Sequence, residues 1–268
     1  IALLVFPALA SDKLIQYIEY IGADYSAAVV DGKIVSSAEY GEMQEFSSLI
    51  AEEVTTAPPE LKQQSAQLKQ LIADKAAEKD IQALTALMRQ SVIAAMPSIP
   101  VPKQSPDLKR GEALFATNCA ACHGATAKGD GPAGAQMDPG PTNFHEVERY
   151  QARSAYGLFN TITLGVADTG MASFAHLDEQ SRWDLAFYVG HIAGKGLDTS
   201  KVPDAMIESG AVKDLLTATP KDLIKLYPDF GAELMSVFRS NPERFFEAQS
   251  KDPLMIAQQK LQLSADFH

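Results

Sequence analysis

Cys119-Ala120-Ala121-Cys122-His123 places the chain's two cysteines three residues apart, with a histidine directly after the second. Two thiols one helical turn apart can each add across a vinyl group of a haem and become thioethers. The adjoining imidazole then lies against the ring, in reach of the iron. The spacing predicts one covalently attached haem c, bound through Cys119 and Cys122, with His123 as an axial ligand. Other uses of a cysteine pair fit less well. A structural zinc wants four Cys or His ligands, and the sequence has no second pair. A thioredoxin-like dithiol belongs to a βαβ unit, and the flanks here read as helix.

An electron-carrying haem needs a sixth ligand. A thioether is soft, suits ferrous haem and raises the potential relative to a second imidazole. Met137 and Met171 follow the motif, and His145, His176 and His191 offer bis-imidazole alternatives. Met171 lies in a glycine-bounded loop, Gly165 to Ala175, from which the chain can return across the far face of a ring. Met137 is too close to His123 to cross easily and lies in the loop expected on the near side. Met171 is therefore the expected partner, and an open sixth position, as a haem enzyme needs, is the reading it competes with.

The elements that must position these groups follow from periodicity and breakers. The sequence has 268 residues, which suggests about two domains. Ile1 to Ala10 is wholly apolar and ends in Ala8-Leu9-Ala10, as the tail of a secretory signal cut before Ser11 does. Residues 11–96 predict a helical bundle. Its first helix runs from Ser11 and ends at Gly22. Ala27 to Val35 then forms a hairpin turning at Asp31-Gly32. Ser36-x-x-Glu39 is a capping box. The next helix carries a core stripe of Met43, Phe46, Ile50 and Val54 and stops at Pro58-Pro59. Two more follow, from Pro59 to about Lys79 and, capped by Asp80, from Ile81 to Met96. Four prolines in 97–106 make an extended connector. Asp107 caps a helix leading into Cys119, and a Gly- and Pro-rich loop follows His123. Helices are expected near Glu146–Gln151 and Ser154–Leu164, and another opens at Asp178. Residues 197–268 read as short amphipathic helices cut by prolines, the last from Leu254 to Leu263. The fold class is all-α, with one small hairpin.

Formal charge is −11, which argues against nucleic acid and suits cationic partners. After the apolar start, no run of about 18 apolar residues reads as a membrane span.

Residues 105–196 resemble class I c-type cytochromes, through Gly111, Phe115, Cys119, Cys122, His123, Met171 and Tyr188. The resemblance implies that the first and last helices of a 107–196 domain cross, with Gly111 and Phe115 against the Trp183–Tyr188 face. It also implies a proline carbonyl, mapped to Pro141 with Pro139 competing, that accepts a hydrogen bond from His123. Asn143 and Phe144 would line the haem edge. The stretch Asp31 to Val35 followed by Glu39 to Phe46 is similar to the extracytoplasmic part of bacterial cytochrome c–iron permease fusion proteins. That implies a periplasmic module beside a membrane permease, with Fe(II) as a source of electrons and a tether in a C-terminal region beyond this chain. Glu39, Glu42 and Glu45 stand at i, i+3 and i+6, with Asp24 and Asp31 near in sequence. They could hold iron through oxygen, or simply form a solvated helix face near a helix start. A stand-alone periplasmic carrier for a dehydrogenase or oxidase remains the alternative.

Overall fold

The 3.6-residue recurrence of apolar side chains sets most of the chain as helix. The computed structural model describes residues 8–96 and 98–251. The first helix, α1, spans Ala8–Ala28. Most of the apolar tail expected of a signal, and the predicted Leu254–Leu263 helix, lie outside the described residues. Gly22, expected to end α1, sits in its interior. A Cβ there would be 2.6 Å from Thr85 Oγ1, so the bare backbone lets α1 and α4 (Glu78–Ala95) approach. Helix continuation is won here by tertiary packing against glycine's weak propensity.

The hairpin forms as its Asp-Gly pair requires. Val29–Val30 pairs antiparallel with Lys33–Ile34, and Asp31 and Gly32 both take positive φ, 49° and 73°. Ser36 caps α2 (Ser37–Glu53) by accepting from Glu39 N at 3.3 Å. The return half of the box is replaced, because the Glu39 carboxylate points to Arg149, 4.0 Å away. Met43, Phe46, Ile50 and Val54 are all buried, as their stripe predicts. The next helix, α3, is Pro59–Ala73, shorter than expected. Lys75 takes a positive φ of 53°, and α4 then starts at Glu78, ahead of Asp80.

Residues 98–106 carry no regular structure. Beyond them come α5 (Leu108–Asn118), α6 (Ala120–His123), α7 (Val147–Gln151), α8 (Ala155–Leu164) and α9 (Glu179–Ile192). Asp107 is the predicted cap, and Ser154 and Asp178, at predicted helix starts, cap as well. Asp107 accepts from Lys109 N and Arg110 N, Ser154 from Gly157 N, and Asp178 from Ser181 N. Five further helices follow: α10 (Asp204–Glu208), α11 (Val212–Thr217), α12 (Pro220–Leu226), α13 (Gly231–Ser240) and α14 (Pro242–Lys251). Among the described residues no helix is long and apolar enough to cross a membrane.

The core does not stop at the Pro-rich connector. Ile18 and Met88 of the bundle, Tyr156 and Trp183 of the segment after it, and Leu216 and Phe238 of the C-terminal helices belong to one buried cluster. Polar ties cross the same boundaries. Glu19 of α1 accepts from Ser154 N, the cap of α8, at 3.1 Å. Arg149 of α7 pairs with Asp24 of α1. The two flanks thus wall the segment that carries the cysteines.

Candidate haem site

The Cys-x-x-Cys-His stretch occupies a single turn. Cys122 N and His123 N both donate to Cys119 O, at 3.1 and 2.9 Å, so the two thiols leave the same side of the chain. Gly124 ends the turn with φ 81° and Gly129 takes φ 76°. Gly131 lies against the backbone of Cys122, where a Cβ would meet its carbonyl at 2.5 Å. This is why the loop after His123 is so rich in glycine: it folds back directly onto the attachment turn.

Cys119, Cys122 and His123 open onto a cavity with about 1510 Å³ of atom-free space, counting its open mouth. Neither cysteine is tied in a disulfide. Before haem is attached, burial, then the neighbouring Cys122, pushes the Cys119 thiol up to about 11. His123 Nδ1 lies 3.1 Å from Thr142 O. A carbonyl can only accept, which makes Nδ1 the protonated nitrogen and leaves Nε2 its lone pair. Burial lowers the His123 pKa, and the Thr142 bond partly opposes this. The ring is therefore held neutral, the form that binds a metal.

The carbonyl that orients His123 corrects the expectation for Pro141. The Pro141 oxygen instead packs on Gly129, 2.2 Å from where a Cβ would stand, and the next residue turns its carbonyl to the imidazole. Phe144 stacks on His123, with centroids 4.6 Å apart and planes inclined by 25°. Asn143 also lines the cavity, while its Oδ1 accepts from His145 N at 3.0 Å. Gly111 and Phe115 meet α9 as expected. Phe115 lies 5.5 Å from Tyr188, centroid to centroid, and a Cβ on Gly111 would lie 2.4 Å from Asp184 O.

Met171 is half-buried and lines the same cavity. Its loop is closed by Val166 N donating to Met171 O at 2.9 Å, with Gly165 at φ 72° beneath it. Met137 also reaches the cavity. Its sulfur stands 2.5 Å from where a Cβ on Gly170 would be, so Met137 lies against the residue that precedes Met171. The bis-imidazole alternatives are occupied or turned away. His145 Nε2 lies 2.8 Å from Thr126 O, and His191 Nδ1 lies 2.7 Å from Ser240 Oγ. Neither they nor His176 line the cavity.

Glu39, Glu42 and Glu45 do not converge. Glu42 accepts from Tyr20 Oη at 2.8 Å. Glu39 lies by Arg149 and Asp24. Glu45 is bonded to Asp168 on the Met171 loop, which raises its pKa. Among the described residues, no group of three His, Cys, Asp or Glu is arranged to hold a metal ion. The acidic side of α2 faces the haem loops instead, since Asp138 and Asp168 both act on it. Burial first, then Asp24, raises the Glu39 carboxyl to about 7. A raised carboxyl favours folding while protonated, so its ionisation weakens the fold as pH climbs from about 4.5 to 7. Glu39→Gln should melt above the parent at pH 8, and that gain should shrink by pH 5. Equal differences at both pH values in thermal melts would remove this assignment.

Two cysteines, a neutral imidazole and the two methionine sulfurs share one cavity in an all-α frame, a donor set that fits haem. Residues 108–193 match the family model for cytochrome c. This segment is a c-type cytochrome domain, and it carries a covalently attached haem at Cys119 and Cys122. No curated protein matches the chain. Among solved structures, a chain of a reducing HAO-like protein complex of Kuenenia stuttgartiensis is similar at 23% identity, with a TM-score of 0.32. The match covers 45% of this chain and 63% of that one, so less than two thirds of that chain's length is spanned.

The sequence missed the cavity's cationic wall. Arg149 and Tyr150 from α7, Arg153 just after it, Arg239 from α13 and Tyr20 from α1 all line it. Scattered arginines carry no spacing signal, and only the packing of three segments gathers these.

Proposed function

We propose that this protein passes single electrons through a haem ligated by His123 and Met171, in the periplasm, as the redox module of an iron-uptake system. The observation that carries the ligand pair is the shared cavity: His123 with a free Nε2 and Met171 both line it, and the competing histidines do not. The bound haem supplies a one-electron ferric–ferrous couple. The chain does the rest. Thr142 O holds the Nδ1 proton and aims the ring, the kind of support that orients metal-binding histidines. Phe144 and Phe115 pack beside the imidazole and keep water from it. The Thr169 hydroxyl accepts from Met171 N at 3.0 Å and steadies the loop that presents the sulfur.

The optical spectrum tests the ligands. Oxidised protein should show the long-wavelength charge-transfer band of Met-ligated haem, and Met171→Ala should abolish it and lower the potential. A band that survives in Met171→Ala and vanishes in Met137→Ala would transfer the role to Met137.

Export rests on the apolar Ile1–Ala10 stretch and on the covalent haem. The iron reading rests on the likeness of the N-terminal stretch to permease fusions. It gains support from the acidic side of α2 beside the haem loops, since clustered negative charge concentrates cations. Rapid mixing with Fe(II) should reduce the haem, more slowly at high salt. Failure of Fe(II) to reduce it would leave a plain carrier for a dehydrogenase or oxidase.

A further inference from the structure

Arg239 is fully buried. Its Nη1 donates to Gly190 O at 3.3 Å and its Nη2 to Arg153 O at 2.6 Å, and its Nε has no partner. Among the described residues no carboxylate forms an ion pair with it. A buried guanidinium without a counter-ion is costly, and native folds normally pair or hydrogen-bond such a charge. Arg239 lines the haem cavity, with its guanidinium 4.7 Å from the Tyr150 ring. The Tyr150 hydroxyl and Arg153 Nη1 line it too, both buried and both without a hydrogen-bond partner, although Arg153 Nη2 lies 3.9 Å from Asp24 Oδ2. Three orphaned donors from two segments therefore meet at one wall. The other cations nearby are already engaged: Arg149 pairs with Asp24 and lies 3.6 Å from Glu146, and Arg89 pairs with Asp222.

The ligand of this cavity brings the missing charge, because a haem carries two propionate carboxylates on one edge. We propose that Arg239, with Arg153 and Tyr150, forms a receptor for a haem propionate. Arg239 lies outside residues 108–193, so the C-terminal helices are part of the haem site and not an appendage to it. The inference rests on the covalent haem occupying this cavity, but not on the identity of the sixth ligand. Arginine suits the task, since its planar fork binds a carboxylate through two parallel hydrogen bonds. A cation fixed at the haem edge also favours the ferrous state, which carries one positive charge fewer.

The test uses the holoprotein, made with haem labelled with ¹³C in its propionates. Arg239→Gln should shift the redox-linked infrared bands of the labelled carboxylates. It should also cut the ferrous-to-ferric ratio about tenfold at a given poise, a fall of about 59 mV for one electron. Arg239→Lys should restore most of both. A merely structural arginine predicts folded Arg239→Gln with bands and potential unchanged, and that result overturns the proposal. If Arg239→Gln does not accumulate, Tyr150→Phe decides. Loss of its hydroxyl should move the same bands, and unmoved bands refute the receptor. Parent protein without haem would sink the functional reading itself, a failure distinct from unmoved bands in a haem-loaded variant.

Discussion

Arg89→Leu should destabilise the protein by about 3–5 kcal/mol, the usual cost of removing one partner from a buried ion pair. Arg89 stands on α4 and is nearly inaccessible. Its guanidinium donates to Thr217 O at the end of α11 and to Asp222 in the first turn of α12. It also lies 3.9 Å from Glu19 of α1. Glu19 in turn accepts from Ser154 N, the cap of α8. One side chain thus couples the bundle, the haem segment and the C-terminal helices. Leucine would leave Glu19 as a buried acid, already raised in pKa by burial, without the cation that opposes that rise. It would also orphan the Thr217 carbonyl. Against a typical total of roughly 5–15 kcal/mol, the loss would show as a large fall in the denaturant midpoint. Glu19→Gln in the same background should recover part of it, since a neutral amide costs less to bury, and the double-mutant cycle measures that coupling. A change within about 0.5 kcal/mol, as for an ordinary surface site, would mean that the three segments are not held together here.

That coupling is the part of the fold least legible in the sequence. Local signals were read well because their physics is local. Asp31-Gly32 demands a tight turn, Asp107 demands a cap, Asp178 opens a helix, and Met43, Phe46, Ile50 and Val54 demand one buried face. The Cys-x-x-Cys-His turn is local too, so the attachment point of the haem was visible at once. Signals that depend on a neighbour are not legible in this way. Gly22 looks like a stop, and only Thr85 across the helix pair shows why it is a contact. Pro141 looked like the acceptor for His123, because which of two adjacent carbonyls faces a ring depends on how Gly129 seats the loop. Met137 reads as close to His123, yet its sulfur lies against Gly170, because sequence distance says little about a loop that doubles back. The prolines in 97–106 do break the secondary structure, but they do not interrupt the core, because α1 packs on α7 and α8 beyond the connector, tied by Glu19 to Ser154 and by Asp24 to Arg149.

The site shows the same division. Cys119, Cys122, His123 and Met171 come from motif and loop logic. Arg153 and Arg239 are 86 residues apart and carry no shared pattern. Their significance rests on burial and on missing partners, which no spacing encodes. The acidic run on α2 shows the converse. Its i, i+3, i+6 spacing looked like one ligand set, yet each carboxylate found a different neighbour across the interface, Tyr20, Arg149 or Asp168.

Gly111→Ala should reduce both stability and covalent haem, although alanine is the better helix former by about 1 kcal/mol. Two effects of opposite sign compete at this position, and geometry decides between them. Gly111 lies in α5 where it crosses α9. A Cβ would be 2.4 Å from Asp184 O and 2.8 Å from Tyr188 Cβ. Neither is the end of a flexible side chain, so the helices must separate by about an ångström to reach ordinary contact distance. Overpacking of this kind costs roughly 1–3 kcal/mol, enough to outweigh the propensity gain. Separation would also strain the bond from Asp107 N to Asp184 Oδ1, 2.9 Å long, and the pair between Arg110 and Asp184. Those contacts fix α5, which ends where Cys119 begins, so a shifted α5 carries the attachment turn away from the cavity. Gly41 supplies the control. It also lies in a helix, but nothing stands within 4 Å of a Cβ there. Gly41→Ala should therefore stabilise by up to about 1 kcal/mol, leaving haem content unchanged. Denaturation midpoints and haem-to-protein ratios of the two variants should move in opposite senses for stability, with haem lost only in Gly111→Ala. A gain in both variants would mean that α5 and α9 have slack at their crossing, and that the glycine there is not what lets them meet.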